Sequence, residues 1–267
     1  MTVLRTSNLR NMFRILSRSF WVQTKERVVQ EFFIYTLLVQ PILFTIMTVI
    51  TYLHGGKTNF GLFAIIGTGL IGVWNNNLWS SGAIVSNERM SGTLSLLMVS
   101  PAPLAWILFG KSFANAFTSI LAIGVSFLTG HLIFGLDLDI LNPLGFFTSL
   151  LLAVFALSCL GMILGSFFVL TRHSQMVIQV ANYPIYLLSG LTVPLTLLPL
   201  WTRPFSIILA PMWGNISLNQ AATGSGFGLL ENFAWLIGLS IVYLFIARGL
   251  FQVIEYRVRE VGNLEVW

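Results

Sequence analysis

Charge is scarce in this chain. Only 9% of its 267 residues are Asp, Glu, Lys or Arg, 56% are hydrophobic and the mean hydropathy is +0.84, which leaves too little polar surface to wrap a water-soluble body. Cysteine is nearly absent: Cys159 stands alone inside an apolar run, which excludes an internal disulfide and a thiolate metal cluster. His54, His131 and His173 fall on separate connections, so no histidine metal site is expected. The chain has no H-E-x-x-H pair, no paired-carboxylate helix face and no G-x-S-x-G elbow. Gly110, Lys111 and Ser112 spell the end of a phosphate-binding loop, but Ala105 stands where its first glycine is required, and the preceding A-W-I-L-F starts an apolar helix. No catalytic, metal or cofactor residue is therefore assigned, and the chain is not read as an enzyme. Mid-membrane carboxylates are also missing, which removes the ion-coupling groups that the alternative reading, an ATP-independent secondary carrier or channel, would need.

What is present is a ladder of apolar segments, near residues 32–53, 61–86, 105–134, 143–170, 176–200 and 229–251. At about 20 residues per helical crossing of a roughly 30 Å hydrocarbon core, this predicts one all-α integral membrane domain with six transmembrane helices. The breaks H-G-G-K-T-N at 54–59 and G-L-D-L-D at 135–139 suit tight turns between antiparallel helices. Residues 190–226 differ, because Pro194, Pro199, Pro204 and Pro211 each remove a backbone donor. Short re-entrant helices on the outer side, before the last span, are expected there. The organisation reads as an N-terminal amphipathic interfacial helix over 1–31, the transmembrane domain over 32–251 and a tail over 252–267. Arginines spread through the first turns, with no continuous apolar core, argue against a cleaved signal peptide.

Sidedness follows from the basic residues. Of the 14 lysines and arginines, all but Lys57 and Arg203 fall on one side of a six-helix ladder. The positive-inside rule puts that side, both termini and the 87–104 insert in the cytoplasm, as in a multi-pass protein of a bacterial inner membrane. A net charge of +5 then needs no nucleic-acid partner. Arg10, Arg14 and Arg18 recur every four residues opposite Leu9, Met12, Phe13, Leu16, Phe20 and Trp21, the pattern of an interfacial helix that either anchors the topology or docks a cytoplasmic partner.

The insert between the second and third segments, N-E-R-M-S-G-T-L-S-L-L-M-V-S-P-A-P-L, is polar and punctuated by glycine and proline, yet exposes Leu94, Leu96, Leu97 and Met98. Such a patch marks either a partner-docking surface or a helix lying on lipid headgroups. Its pattern, E-R-x-x-G-T-L, then L-L, S-P and a later G-K pair, resembles the permease subunits of ABC-2 type ATP-binding cassette transporters. The residues that carry the resemblance are Glu88, Arg89, Gly92, Thr93, Leu94, Leu96, Leu97, Ser100, Pro101, Gly110 and Lys111. Ser189, Gly190, Pro194, Leu198, Pro199 and Pro211 are similar to the family's region around its fifth helix and re-entrant segments. The resemblance implies that about 88–102 is a coupling helix seated on a separate ATPase subunit, with Glu88, Arg89, Gly92, Thr93, Leu94, Leu97, Ser100 and Pro101 at the contact. It implies two ATPase copies that bind ATP and Mg, a second permease subunit as a homodimer, and export of an amphipathic or lipid-linked molecule. Ser95 stands where the family commonly has a glutamate, so a salt bridge from that position is not carried over.

Polar side chains within the crossings are the candidates for a substrate path, since each is costly in hydrocarbon unless it meets protein or a cavity. Asn75, Asn76 and Asn77 follow Trp74 in the second segment and sweep about 200° of a helix, so they cannot share one face. Each either lines a path or bonds helices together. By the resemblance, the first and fifth helices flank the dimer interface, which ranks Gln40, Gln179, Asn182 and Tyr183 first; Trp74, Asn75 and Asn115 complete the set. Gly161 and Gly165 form a small-xxx-small pair suited to close helix packing. Trp201, Arg203 and Trp213 are expected at the outer interface, Arg203 as an anchor or as a partner for an anionic headgroup.

Overall fold

A computed structural model describes residues 9–28, 34–54, 61–81, 92–93, 104–136, 138–169, 174–226 and 228–261. Among these the chain is helical, with no strand. Its elements are α1 (Leu9–Val28), a π-helical turn (Tyr35–Val39) running into α2 (Gln40–His54), α3 (Gly61–Ser81), α4 (Leu104–Phe134), α5 (Pro143–Val169), α6 (Ser174–Leu188), two 3₁₀ turns (Leu195–Leu197 and Leu200–Thr202), α7 (Arg203–Ile207), α8 (Ala210–Ala222) and α9 (Leu229–Val261). Among the described residues, four helices are long and apolar enough to cross a membrane: Tyr35–His54, Trp106–Phe134, Pro143–Ser166 and Leu229–Val253. The two remaining segments of the six-span expectation are α3, which carries the asparagine run, and α6, only 15 residues long.

The bundle is organised around α3. Every residue from 64 to 78 is buried, because α2, α4, α5, α6 and α8 surround it. In lipid, an isoleucine gains little by moving from acyl chains to a protein interior, so close backbone approach and interhelical hydrogen bonds must hold such a helix. The glycines of G-T-G-L-I-G supply the approach. A Cβ on Gly67 would lie 2.2 Å from the Leu191 carbonyl oxygen, and one on Gly72 2.9 Å from the Cβ of Ala122 and 3.1 Å from Pro41. Thr68 Oγ1 lies 3.1 Å from Thr45 Oγ1 of α2, and Asn76 Nδ2 donates to the Asn115 carbonyl of α4 at 3.2 Å.

The helix α1 lies along α4 on one flank of its apolar side. Leu16, Ser19, Phe20 and Gln23 turn toward α4, whereas Phe13 and Trp21 are exposed. Polar pairing explains this orientation. Gln23 Nε2 donates to Asn115 Oδ1 at 3.2 Å, and the buried Lys111 ammonium meets Glu26 at 3.3 Å. A buried cation without a carboxylate is far costlier than an exposed phenylalanine. Gly110 permits the contact, since a Cβ there would come within 2.9 Å of the Ser19 Cβ. The G-K pair thus lies inside α4 as the seat of α1.

Residues 190–226 form short helices, as the prolines predict, folded over one end of α3. Leu191 is fully buried against Gly67, and Asn215 Nδ2 donates to the Gly190 carbonyl at 2.7 Å. Asn215, formally a glycosylation sequon, is therefore a buried bonding residue. Tyr243 of α9 joins the layer by donating to the Ile208 carbonyl, and Trp213 stacks on Trp235 with ring centroids 4.9 Å apart.

The packing of α3 predicts that Gly67→Val destabilises the chain by at least about 1–3 kcal/mol, the usual cost of overpacking. Gly124→Val, on α4 where an added Cβ meets nothing within 4 Å among the described residues, should be tolerated. Thermal unfolding of the two variants in detergent checks this; equal melting temperatures would contradict it.

Candidate substrate cavity

Two proline interruptions shape one side of the bundle. Pro41 has no N–H to offer the turn behind it, and the chain answers with a π-helical turn in which the Gln40 N–H reaches the Tyr35 carbonyl. Pro184 removes a donor from the middle of α6. Between these two helices and the polar end of α3 lies a cavity of about 300 Å³. Its lining comes from Tyr35, Thr36, Gln40 and Phe44 on one wall, Asn75 and Trp79 on the floor, and Asn182, Tyr183 and Tyr186 on the other wall.

The floor is fixed by hydrogen bonds. Trp74, wholly buried, donates Nε1–H to Asn182 Oδ1 at 2.9 Å and so ties α3 to α6. The Tyr186 hydroxyl donates to Asn75 Oδ1. Two buried amide atoms beside the cavity, Gln40 Oε1 and Asn75 Nδ2, have no hydrogen-bond partner among the described residues. Tyr183 is 71% exposed and packs edge-to-face on Tyr186, so the cavity opens to the outside past its ring. No lining residue among those described carries a charge. Five aromatic rings and four neutral polar side chains therefore offer stacking surface and hydrogen bonds, but no ion pair.

Several residues singled out in the sequence meet here. Gln40, Asn75, Asn182 and Tyr183 line one cavity, and Trp74 holds Asn182 from beneath. Asn115 does not join them; its Oδ1 accepts from Gln23 and its carbonyl from Asn76, a junction of α1, α3 and α4. Gln179 lies on α6, and its side chain falls outside the described residues, as do Glu88, Arg89, Leu94, Leu97, Ser100 and Pro101 of the insert. Gly92 is exposed with φ +70°, a left-handed conformation that favours glycine, and Thr93 follows it. Trp79, just after the asparagine run, lines the cavity too. Sequence reading missed Thr36 and Tyr186. Each stands four residues from a residue that was singled out, on the same helical face as Gln40 and Asn182 respectively, and that spacing was the available signal.

The three asparagines divide their work as their angular spread requires. Asn75 faces the cavity and α6, while Asn76 faces α4. Asn77 is buried as well. A run of consecutive amides thereby serves two sides of one central helix.

No curated protein matches the chain. The family model for ABC-2 type transporters matches residues 12–222, which takes in α1, the central helix, the walls of the cavity and the short outer helices. Spanning most of the chain, that match makes this protein a member of the ABC-2 type transporter family, a membrane transport subunit rather than an ATPase.

Proposed function

We propose that the chain is the permease half of an ABC-2 exporter. In this reading two copies form a homodimer, two ATPase subunits bind and hydrolyse ATP with Mg, and an amphipathic or lipid-linked molecule leaves the cytoplasm. Six helices cross the inner membrane, α3 and α6 included, with both termini inside and 190–226 re-entrant from outside. The central observation is the uncharged aromatic and amide cavity between α2 and α6, floored by the only strongly polar stretch of α3. The exposed apolar residues beside its mouth, Leu43 and Met47 on α2 and Val180 and Leu187 on α6, suit contact with a second copy. Two cavities facing each other across that contact make a path.

The chemistry of the lining selects the substrate class. Without a charged partner, an ionised group in the cavity would carry its desolvation cost uncompensated. Rings and hydroxyls, in contrast, find aromatic faces and amides. The ladder interruptions at Pro41 and Pro184 place both walls on helices with weakened backbone bonding, so the walls are the elements that rearrange when the path opens.

The motor acts from the other end. In the proposed arrangement the coupling helix after α3 sits in a groove of the ATPase subunit, and nucleotide-driven closure moves it. That motion passes directly into α3 and α4, the two helices that the insert joins, and these are extensively packed on one another. Within that insert Gly92 adopts a left-handed backbone conformation.

Two outcomes follow. Leu97→Asp should abolish substrate-stimulated ATPase activity of the reconstituted complex while membrane insertion and chain stability stay unchanged. Retained stimulation would reject the coupling role. In the cavity, Asn75→Leu and Tyr183→Ala should each raise the substrate concentration needed for half-maximal stimulation roughly ten-fold, the scale of losing one buried hydrogen bond or ring contact. Basal ATPase activity should not move, and an unchanged half-maximal concentration would remove the cavity from the path.

A further inference from the structure

On another part of the bundle, between α4, α5 and α9, runs a second groove of about 440 Å³. Its walls are almost wholly apolar: Phe109 from α4, Met162 from α5, and Ile241, Leu244 and Phe245 from α9. Phe109 is held in place by edge contacts to Trp106 and Phe155, with ring centroids 6.4 Å away in each case. One end is different. Arg248 and Gln252 close it, and Trp106 stands beside them at the start of α4. Arg248 is exposed and makes no hydrogen bond or ion pair among the described residues.

Two independent markers set the depth of that end. Leu229–Val253 is the apolar stretch of α9, so Arg248 lies about one turn inside its terminus, where a long cationic side chain reaches the headgroup layer. Trp106 opens the apolar stretch of α4, the position at which tryptophan anchors a helix to the interface. Ile241 lies seven residues earlier on the same helix face as Arg248, about 10 Å deeper toward the membrane centre. The groove therefore joins a cation at headgroup depth to an aromatic and aliphatic trough that descends into the hydrocarbon.

The geometry points to a binding site for an anionic phospholipid, its phosphate on Arg248 and one acyl chain along Phe109, Met162, Leu244 and Phe245. Charge complementarity selects the occupant: among the described residues the arginine has no counter-ion, and a phosphate accepts its planar N–H fork at two oxygens. The site is separate from the substrate cavity, which belongs to α2, α3 and α6. Its wall includes the first turns of α4, directly after the 87–104 insert, so an occupied groove braces the helix that receives movement from that insert.

Native mass spectrometry of the full-length chain, titrated in neutral detergent with phosphatidylglycerol or phosphatidylcholine of identical acyl chains, tests the assignment. The wild-type chain should retain phosphatidylglycerol roughly five-fold more tightly than phosphatidylcholine, the scale of one arginine at a lipid surface. Arg248→Gln should erase that preference and leave phosphatidylcholine retention unchanged. Leu244→Trp, which fills the trough, should weaken retention of both lipids, with circular dichroism confirming an intact helical fold. Equal retention of the two lipids by the wild-type chain, or an undiminished preference in Arg248→Gln, would overturn the proposal. A shift in the monomer–dimer distribution on Arg248→Gln, without change in lipid retention, would also overturn it and make the groove a protein interface.

Discussion

A helix buried on every side inside a membrane protein must satisfy all of its polar groups with other protein, and α3 meets that demand in two ways. Its glycines let backbones come within contact distance at Leu191 and Ala122, where no side chain of any size would fit. Its threonine and asparagines bond outward to α2, α4 and α6. Because apolar burial contributes little when the competing solvent is lipid, these contacts decide the arrangement of the surrounding helices. The cavity between α2 and α6 is a consequence. It forms where the amide-rich end of α3 meets two proline-interrupted helices whose side chains cannot close over it completely.

The same economy of polar groups explains α1. From its apolar side Leu16 and Phe20 pack on α4, but the contact also takes in Gln23 and Glu26 and leaves Phe13 and Trp21 outward. In a lipid surround an exposed aromatic ring costs almost nothing, whereas the Lys111 ammonium inside the bundle requires a carboxylate. The result joins α1 to the very helix that follows the insert. The N-terminal half of α4 is thereby fastened to α1 on one side and continues directly from the insert.

The polar features separate into different functions by position rather than by residue type. Asn75 and Asn182 face a cavity, Asn76 and Asn115 join helices, Asn215 holds the outer short helices onto Gly190, and Asn232 accepts the role of bonding α9 to Gln220 at 2.7 Å. Lys111 is neutralised by Glu26 within the fold, whereas Arg248 closes one end of an apolar groove. A buried amide or cation in this chain therefore reports a junction unless a cavity or groove adjoins it.

Composition and periodicity by themselves determined the membrane class, the apolar segments and the proline-broken region over 190–226, and a motif resemblance gave the family, because each is encoded locally in hydropathy, helix breakers or a contiguous motif. They also delivered Gln40, Asn75, Asn182 and Tyr183 as separate candidates, since an amide within an apolar run stands out without any knowledge of its neighbours. What periodicity could not supply was which of these residues meet. Asn75 lies 107 positions from Asn182, and the azimuth of one helix against another is set by packing at Gly67 and Gly72 and by bonds such as Trp74 to Asn182. Only the tertiary structure could therefore gather the cavity, send Asn115 to a different junction, bring Gln23 and Glu26 of α1 against α4 and align Arg248 with an apolar trough. Each of those outcomes depends on long-range contacts between helices, and no local stretch of sequence carries that information.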